Sequence, residues 1–117
     1  MNTRKIGKEK EESASRYLSN HGYEILEQNF YTRYGEIDLI GKNGSYLVFI
    51  EVKYRSSLKN GVPEAAVTPA KQRKIINAAM YYLYKKKLST ETPIRFDVLS
   101  IYKEEYRLIK NAFEAGY

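Results

Sequence analysis

The stretch from residue 35 to residue 55, GEIDLIGKNGSYLVFIEVKYR, constrains the fold more than any other part of the chain. Two apolar-rich segments flank Asn43-Gly44, a dipeptide typical of two-residue hairpin turns because both residues tolerate the positive φ of a type I′ turn. With the turn at these two residues, Glu36 faces Glu51 across an antiparallel pair. The sequence therefore predicts a β-hairpin in the middle of the chain.

Alternation of side chains divides the predicted hairpin into an apolar face and a charged face. The apolar face carries five aliphatic residues, namely Ile37, Leu39, Val48, Ile50 and Val52. The other face gathers four charged residues at one end, namely Glu36, Asp38, Glu51 and Lys53. Asp38 and Glu51 become diagonal neighbours, and like charges so close in a sheet destabilise it. This end of the hairpin therefore predicts a bound cation.

An ordinary solvent-exposed face is the alternative explanation of these charges. For the hairpin alone it is the more common one, since polar side chains often line the outer face of an antiparallel sheet. Leu47 and Phe49 weaken it, because they indicate that the charged face is partly covered. A bulge or a three-residue loop would change the register and separate the carboxylates.

Composition excludes several classes of site. The 117 residues predict one domain over 1–117, and they include no cysteine and one histidine, which excludes disulfide frameworks and cysteine-built zinc sites. No run of about 18 apolar residues is present and the N-terminus is highly charged, so we expect a cytoplasmic protein without a membrane partner. The sequence has no GxxxxGK[ST], GxGxxG or GxSxG motif.

The charge balance favours a polyanionic partner. Twenty lysines and arginines against fourteen acidic residues give a net charge of +6 and a pI near 9.4. Such a bias suits nucleic acid, although many basic proteins bind none. Some of the twelve tyrosines could stack on bases, whereas half-buried packing with a wet hydroxyl is the more common role for most of them.

Periodicity and turn signals predict the other elements. Gly22 is expected to end the first helix, and Thr68-Pro69 supplies an N-cap and a first-turn proline for the second. The predicted order is a helix over 3–21, a strand over 23–31, the hairpin, a helix over 68–87, a strand over 94–102 and a further strand over 106–113. The fold class is α/β, with helices packed on a mixed sheet.

Glu11 lies on the same side of the first helix as its apolar residues. A carboxylate on a buried flank is costly unless a partner compensates it. Either Glu11 sits at the boundary of that face, which periodicity alone favours, or it points at a cation on the sheet. Carboxylates are suited to Mg²⁺ or Mn²⁺, which bind through one or two such groups together with water and phosphate oxygens. Lys53 could then orient a water molecule or stabilise the transition state.

The spacing Asp38-x12-Glu51-Val52-Lys53 resembles that of the PD-(D/E)xK nuclease superfamily. The longer motifs GEIDLI, FIEVKYR, VPEAAVTPAKQRKI and RFDVL, with Gly7, Glu11, Ala14 and Leu18 upstream, resemble the YraN family of bacterial proteins, also called UPF0102. That family is similar to archaeal Holliday-junction resolvases. The resemblance spans residues 6–102 and implies a restriction-endonuclease-like fold.

The resemblance also implies roles for particular residues. Asp38, Glu51 and Lys53 take the catalytic positions, and Glu11 joins the two acidic residues as a metal ligand. Glu36 is expected to contact these ligands rather than the metal ion itself. By the resemblance, Lys71 falls in the helix motif of the family and could contact either phosphate or Glu51. Independently of the resemblance, Lys71 and Lys74 lie near the N-terminus of the second helix, where the helix dipole does not explain them, and are predicted together with Arg55 to contact nucleic acid.

The expected function is that of a Mg²⁺- or Mn²⁺-dependent endonuclease that hydrolyses phosphodiester bonds in DNA, with branched or flapped DNA as the favoured substrate. DNA is favoured over RNA, and resolvase-like relatives are often homodimers. One alternative is a nucleic-acid-binding accessory protein with a vestigial site, because a fold can persist without its chemistry. A scaffold for another repair or processing protein is the other alternative.

Overall fold

A computed structural model describes residues 12–55 and 67–116 of the chain. Their elements, in chain order, are α1 over residues 12–19, β1 (Glu24–Tyr31), β2 (Glu36–Asn43), β3 (Tyr46–Tyr54), α2 (Pro69–Lys85), β4 (Ile94–Tyr102) and β5 (Glu105–Phe113). This order confirms the predicted one, with two strands after the second helix. No helix among these residues is long and apolar enough to cross a membrane.

The five strands form one mixed sheet in the order β1-β2-β3-β4-β5. β3 and β4 are parallel, and every other neighbouring pair is antiparallel. A parallel pair needs a long crossover connection, and α2 belongs to the segment that joins β3 to β4. In the order of the five strands, the charged strand β3 is the central one.

The hairpin turn lies one residue later than predicted, at Gly44-Ser45, and β2 pairs with β3 from Asn43 opposite Tyr46. Gly44 has a φ of 63° and Ser45 has no positive φ, which is the pattern of a type II′ turn. Asn43 stays in the strand because its side-chain amide donates to the Gly22 carbonyl at 3.0 Å and its Oδ1 accepts from Arg95 at 2.9 Å. The register moves by two residues, so the side chains of the paired residues, Leu39 to Asn43 and Tyr46 to Ile50, keep their predicted faces.

The α2 helix begins where its sequence signals predicted. Thr68 Oγ1 accepts the Lys71 N–H at 3.1 Å, and Pro69 occupies the first turn. α1 ends at residue 19 rather than 21, and Gly22 closes the helix with a φ of 89° while the Tyr23 N–H donates to the Leu18 carbonyl at 3.0 Å.

The sheet has an apolar core on each face. The core under α2 combines aromatic and aliphatic residues, among them Phe30, Ile40, Phe49, Ile75, Tyr82 and Phe96. The core under α1 contains Ala14, Leu18, Tyr23, Leu39, Val48, Ile50, Leu99 and Ile101. The charged face of the hairpin is therefore covered by α2 near the turn, as Leu47 and Phe49 indicated. Ile37 was predicted beside Leu39 but packs in the α2 core, at the end of β2 where pairing with β3 has stopped.

A network of hydrogen bonds around the buried Asp97 connects β4 to β5 and to Tyr23, the residue before β1. Asp97 is fully buried and accepts two hydrogen bonds from Arg95 at 2.9 Å, one from the Tyr23 hydroxyl at 2.6 Å and one from the Asn111 N–H at 2.9 Å. Burial and the hydrogen bond to Asp97 raise the pKa of Tyr23. Because its acceptor atoms are engaged from three elements, Asp97 has a structural role.

We expect Asp97→Ala to lower the free energy of unfolding by about 3–5 kcal/mol, because it leaves the Arg95 guanidinium without its carboxylate. Urea denaturation measures this loss. Glu104→Ala, which removes an exposed carboxylate in the β4–β5 turn, serves as the control and should change stability by less than about 0.5 kcal/mol. Equal effects from the two variants would contradict a structural role for Asp97.

Candidate functional site

Asp38 lies at the point where β2 and β3 separate. The last paired residues of this ladder are Leu39 and Ile50. Beyond this last pair, the backbone N–H of Val52 donates a hydrogen bond to the Asp38 carboxylate at 2.8 Å. The Asp38 side chain thus occupies a place in the ladder that a backbone carbonyl would otherwise fill. This bond holds the half-buried carboxylate against β3, close enough to Glu51 for its charge to raise the pKa of that residue.

Glu51 is a carboxylate in the interior of the sheet. It lies on the central strand β3, is paired with Val98 of β4, and retains 6% of its exposure. Burial raises the pKa of Glu51 and the nearby charge of Asp38 raises it further, whereas the charges of Lys71 and Lys53 lower it. The first two causes prevail. The fold therefore places a carboxylate where its ionised form is disfavoured, and an additional cation would offset that cost.

Two lysines from different elements place positive charge near the Glu51 carboxylate. Lys53 Nζ lies 3.4 Å from Glu51 Oε1, since residues two apart on a strand share a face. Lys71 comes from the first turn of α2, and its charge acts on Glu51 across the sheet–helix interface. No acidic residue is present in that first turn, so Lys71 has no neighbouring carboxylate on its own helix end.

The structure distributes the other predicted site residues around this centre. Glu36 is half-buried at the start of β2 and pairs with Tyr31 of β1; because the β2–β3 pairing ends at Leu39 and Ile50, the predicted pairing of Glu36 with Glu51 does not form. Arg55 is half-buried directly after β3, and its backbone N–H donates to the Ile101 carbonyl at 2.8 Å. Lys74 is exposed on α2 and packs over Gly35, where an added Cβ would lie 3.2 Å from the Lys74 Cβ.

Ser100 is a neighbour of the site that the sequence did not indicate. It is 6% exposed, pairs with Lys53 in the parallel β3–β4 ladder and shares the face of Glu51 and Lys53. Its hydroxyl adds a polar group next to the two charges. Only the register between β3 and β4 reveals this position, because a serine within the apolar run FDVLSIY carries no motif.

Asp38 and Glu51 are suited to a hard divalent cation. Magnesium is commonly held by one or two carboxylates, with water and phosphate oxygens completing its coordination, and manganese accepts the same ligands. Within residues 12–55 and 67–116, no group of three or more histidine, cysteine, aspartate or glutamate side chains could hold a metal. Glu11, the predicted third ligand, lies outside the described residues. Among the described residues, Asp38 and Glu51 are the ones that would hold such an ion.

Comparison with known proteins adds the family. Residues 10–101 match the model of a family described as "Uncharacterised protein family UPF0102". A UPF0102 protein of Lachnoclostridium phytofermentans is 52% identical over 98% of both chains. Others from Thermodesulfovibrio yellowstonii and Legionella pneumophila are 48% and 45% identical, over 92% and 97% of this chain and 95% and 98% of their own lengths.

The raised pKa of Glu51 makes stability depend on pH with a definite sign. A folded-state pKa above the usual 4.5 means that the folded protein binds this proton more tightly than the unfolded chain. The resulting stabilisation is complete below the usual pKa and is lost as the pH rises through the raised value. Glu51→Gln should therefore gain stability relative to the wild type over this interval, by about 1.4 kcal/mol for each pH unit by which the pKa is raised.

Urea denaturation of both proteins between pH 4 and pH 8 measures this difference. Glu104→Gln, the same change at an exposed position, should show no such pH-dependent gain. A stability difference between Glu51→Gln and wild type that stays constant with pH would contradict a raised pKa.

Proposed function

The chain belongs to the UPF0102 family, and we propose that it is a metal-dependent endonuclease that hydrolyses phosphodiester bonds in DNA, with branched or flapped DNA as its substrate. The observation that carries the proposal is the buried Glu51 carboxylate, which is affected by the charges of Asp38 and Lys71 and has Lys53 Nζ at 3.4 Å. Two acidic groups and two basic groups at one strand end suit a reaction in which a cation and a phosphate meet.

The arrangement of strands supports a restriction-endonuclease-like fold for this chain. The aspartate and the Glu-x-Lys sequence lie on adjacent antiparallel strands, and the second of these is the central strand of a mixed sheet. An α-helix delivers a further lysine to the same face. A catalytic site built from strand residues is held more rigidly than one built on loops.

Mg²⁺ or Mn²⁺ would be held by Asp38 and Glu51, and Glu11 is proposed as a further ligand on the grounds of the family resemblance. When bound, the ion supplies positive charge to a phosphate oxygen and lowers the pKa of a water molecule. The chain itself supplies the alignment. The Val52 N–H fixes the orientation of Asp38, and Lys53 is held beside Glu51, from where its ammonium group can donate a hydrogen bond to a non-bridging phosphate oxygen.

Positive charge around the site supports a polyanionic substrate. The chain carries a net charge of +6, and Lys71, Lys74 and Arg55 lie on the elements that border the two carboxylates. Since Asp38 and Glu51 would repel a phosphate, these basic residues are proposed to contact backbone phosphates on either side of the scissile one.

We expect Glu51→Gln and Asp38→Asn each to reduce cleavage by at least about 100-fold, because each removes a charge proposed to hold the ion. The assay follows labelled single-stranded, duplex, flap and four-way-junction DNA with Mg²⁺ or Mn²⁺. Asp38→Asn is informative because the amide oxygen can still accept the Val52 N–H. Glu104→Gln, an exposed change outside the site, should cleave like the wild type.

Ion binding is measured separately from activity. At a Mn²⁺ concentration of 100 times the Kd, binding should add about 2.7 kcal/mol to the free energy of unfolding of the wild type and little to that of Glu51→Gln. Cleavage by Asp38→Asn at the wild-type rate would show that the site is wrongly assigned. DNA binding without cleavage, unchanged in Glu51→Gln, would instead favour a non-catalytic accessory protein.

Lys71→Ala should weaken DNA binding and lower the slope of log Kd against log salt concentration by about 0.7–1, the value for one lost phosphate contact. Fluorescence anisotropy of labelled DNA over a range of salt concentrations measures this slope. Lys103→Ala, which removes an exposed lysine in the β4–β5 turn, is the matched control. An unchanged slope for Lys71→Ala would contradict a phosphate contact at this position.

A further inference from the structure

One exposed face of α2 carries a row of polar and aromatic side chains. Lys74, Asn77, Tyr81 and Tyr84 follow the spacing i, i+3, i+7 and i+10, so they lie along one side of the helix, and all four are exposed. We call these four residues the α2 ridge. Its basic end adjoins the candidate site, because Lys74 packs over Gly35 immediately before β2, and Lys71, whose charge reaches Glu51, is one turn away.

The aromatic end of the α2 ridge is continuous with the loop between β1 and β2. The ring of Tyr81 lies 6.3 Å from that of Tyr34 and 6.5 Å from that of Tyr84, with interplanar angles of 56° and 40°. Tyr81 also rests on the buried Phe30 ring at 6.3 Å. The three tyrosine rings therefore form one surface that is supported from below by the core.

A guanidinium group adds charge to this aromatic surface. Arg33 lies 4.9 Å from the centroid of the Tyr34 ring, and its Nη2 donates to the Tyr34 hydroxyl at 2.7 Å. These contacts fix Arg33 and Tyr34 relative to each other while both stay exposed. Tyr84 is 80% exposed, so packing within the chain does not account for its ring. Aromatic rings interspersed with cations are the combination by which proteins bind single-stranded nucleic acid, through stacking and phosphate contacts.

We propose that the α2 ridge, together with Tyr34 and Arg33, binds the unpaired bases of a single-stranded DNA segment that leads into the candidate site. Tyr81 is ten residues beyond Lys71, which is about 15 Å along the helix axis. That the bound strand leads into the candidate site rests on the proposed function. The assignment deepens that function by selecting substrates with an unpaired strand, such as a flap.

The test measures binding without cleavage. Anisotropy of a labelled twelve-nucleotide dT strand is followed in EDTA, where no divalent ion is present, for the wild type and for Tyr84→Ala and Tyr34→Ala. Each substitution should weaken binding by about 5- to 150-fold, the range for the loss of one stacked base, and should leave the salt slope unchanged. Tyr84→Phe and Tyr34→Phe keep the ring and should bind within about twofold of the wild type. Arg33→Ala should reduce both the affinity and the slope.

Tyr46→Ala is the matched control. Tyr46 is 43% exposed and has Arg95 at 5.2 Å from its ring centroid, but it lies on the opposite face of the sheet, and its loss should not affect binding. A thermal melt of every variant verifies folding, which Tyr84→Ala should retain because its ring is exposed.

Equal binding by Tyr84→Ala, Tyr34→Ala and the wild type would overturn the proposal, as would a preference for blunt duplex or for an rU strand over dT. Because these measurements need no metal, they separate the two proposals. Weaker dT binding by Tyr34→Ala and Tyr84→Ala, without cleavage of any substrate, would retain the binding surface and reject the nuclease. Cleavage of DNA, with dT binding unaffected by the tyrosine substitutions, would retain the nuclease and reject the binding surface.

Discussion

The burial of Glu51 beside Asp38 is the constraint on which the arrangement of this protein depends. A carboxylate on the central strand of a sheet is costly, and a second one across the ladder adds repulsion. The surrounding structure reduces this cost only in part. β2 and β3 separate so that Asp38 bonds to a backbone N–H, while lysines from β3 and α2 supply positive charge. The proposed site therefore lowers the stability of the folded protein, through the burial of Glu51 and its repulsion with Asp38.

The contrast with Asp97 shows that the chain can stabilise a buried carboxylate when structure requires it. Asp97 receives a bidentate guanidinium, a phenolic hydroxyl and a backbone N–H, all at 2.6–2.9 Å. Burial and the nearby charge of Asp38 raise the pKa of Glu51, and the Lys53 ammonium at 3.4 Å offsets this only in part. The two acids lie on the adjacent strands β3 and β4, on opposite faces of the sheet. Both are buried, and the hydrogen-bond donors around each of them distinguish the structural Asp97 from Glu51.

The second helix connects the proposed site to the proposed binding surface. Its buried residues cover the sheet, its first turn brings Lys71 to Glu51, and its exposed side carries the α2 ridge. A helix that forms the crossover between β3 and β4 must start near the end of β3 where Glu51 lies, because parallel strands run in the same direction. The chain topology therefore aligns a row of cationic and aromatic side chains with the two carboxylates.

The sequence by itself determined the order of elements and the faces of the hairpin, because alternation along a strand and capping at a helix are local. It also brought Asp38, Glu51 and Lys53 together, since a shift of two residues in the register preserves the side that each residue occupies. The turn position depended on two hydrogen bonds of the Asn43 side chain, one donated to the Gly22 carbonyl and one accepted from Arg95, and these residues meet only in the folded sheet. The parallel register that places Ser100 beside Lys53, the network around Asp97 and the joining of Tyr34 to α2 are likewise decided by tertiary structure, because each depends on contacts between residues far apart in the chain.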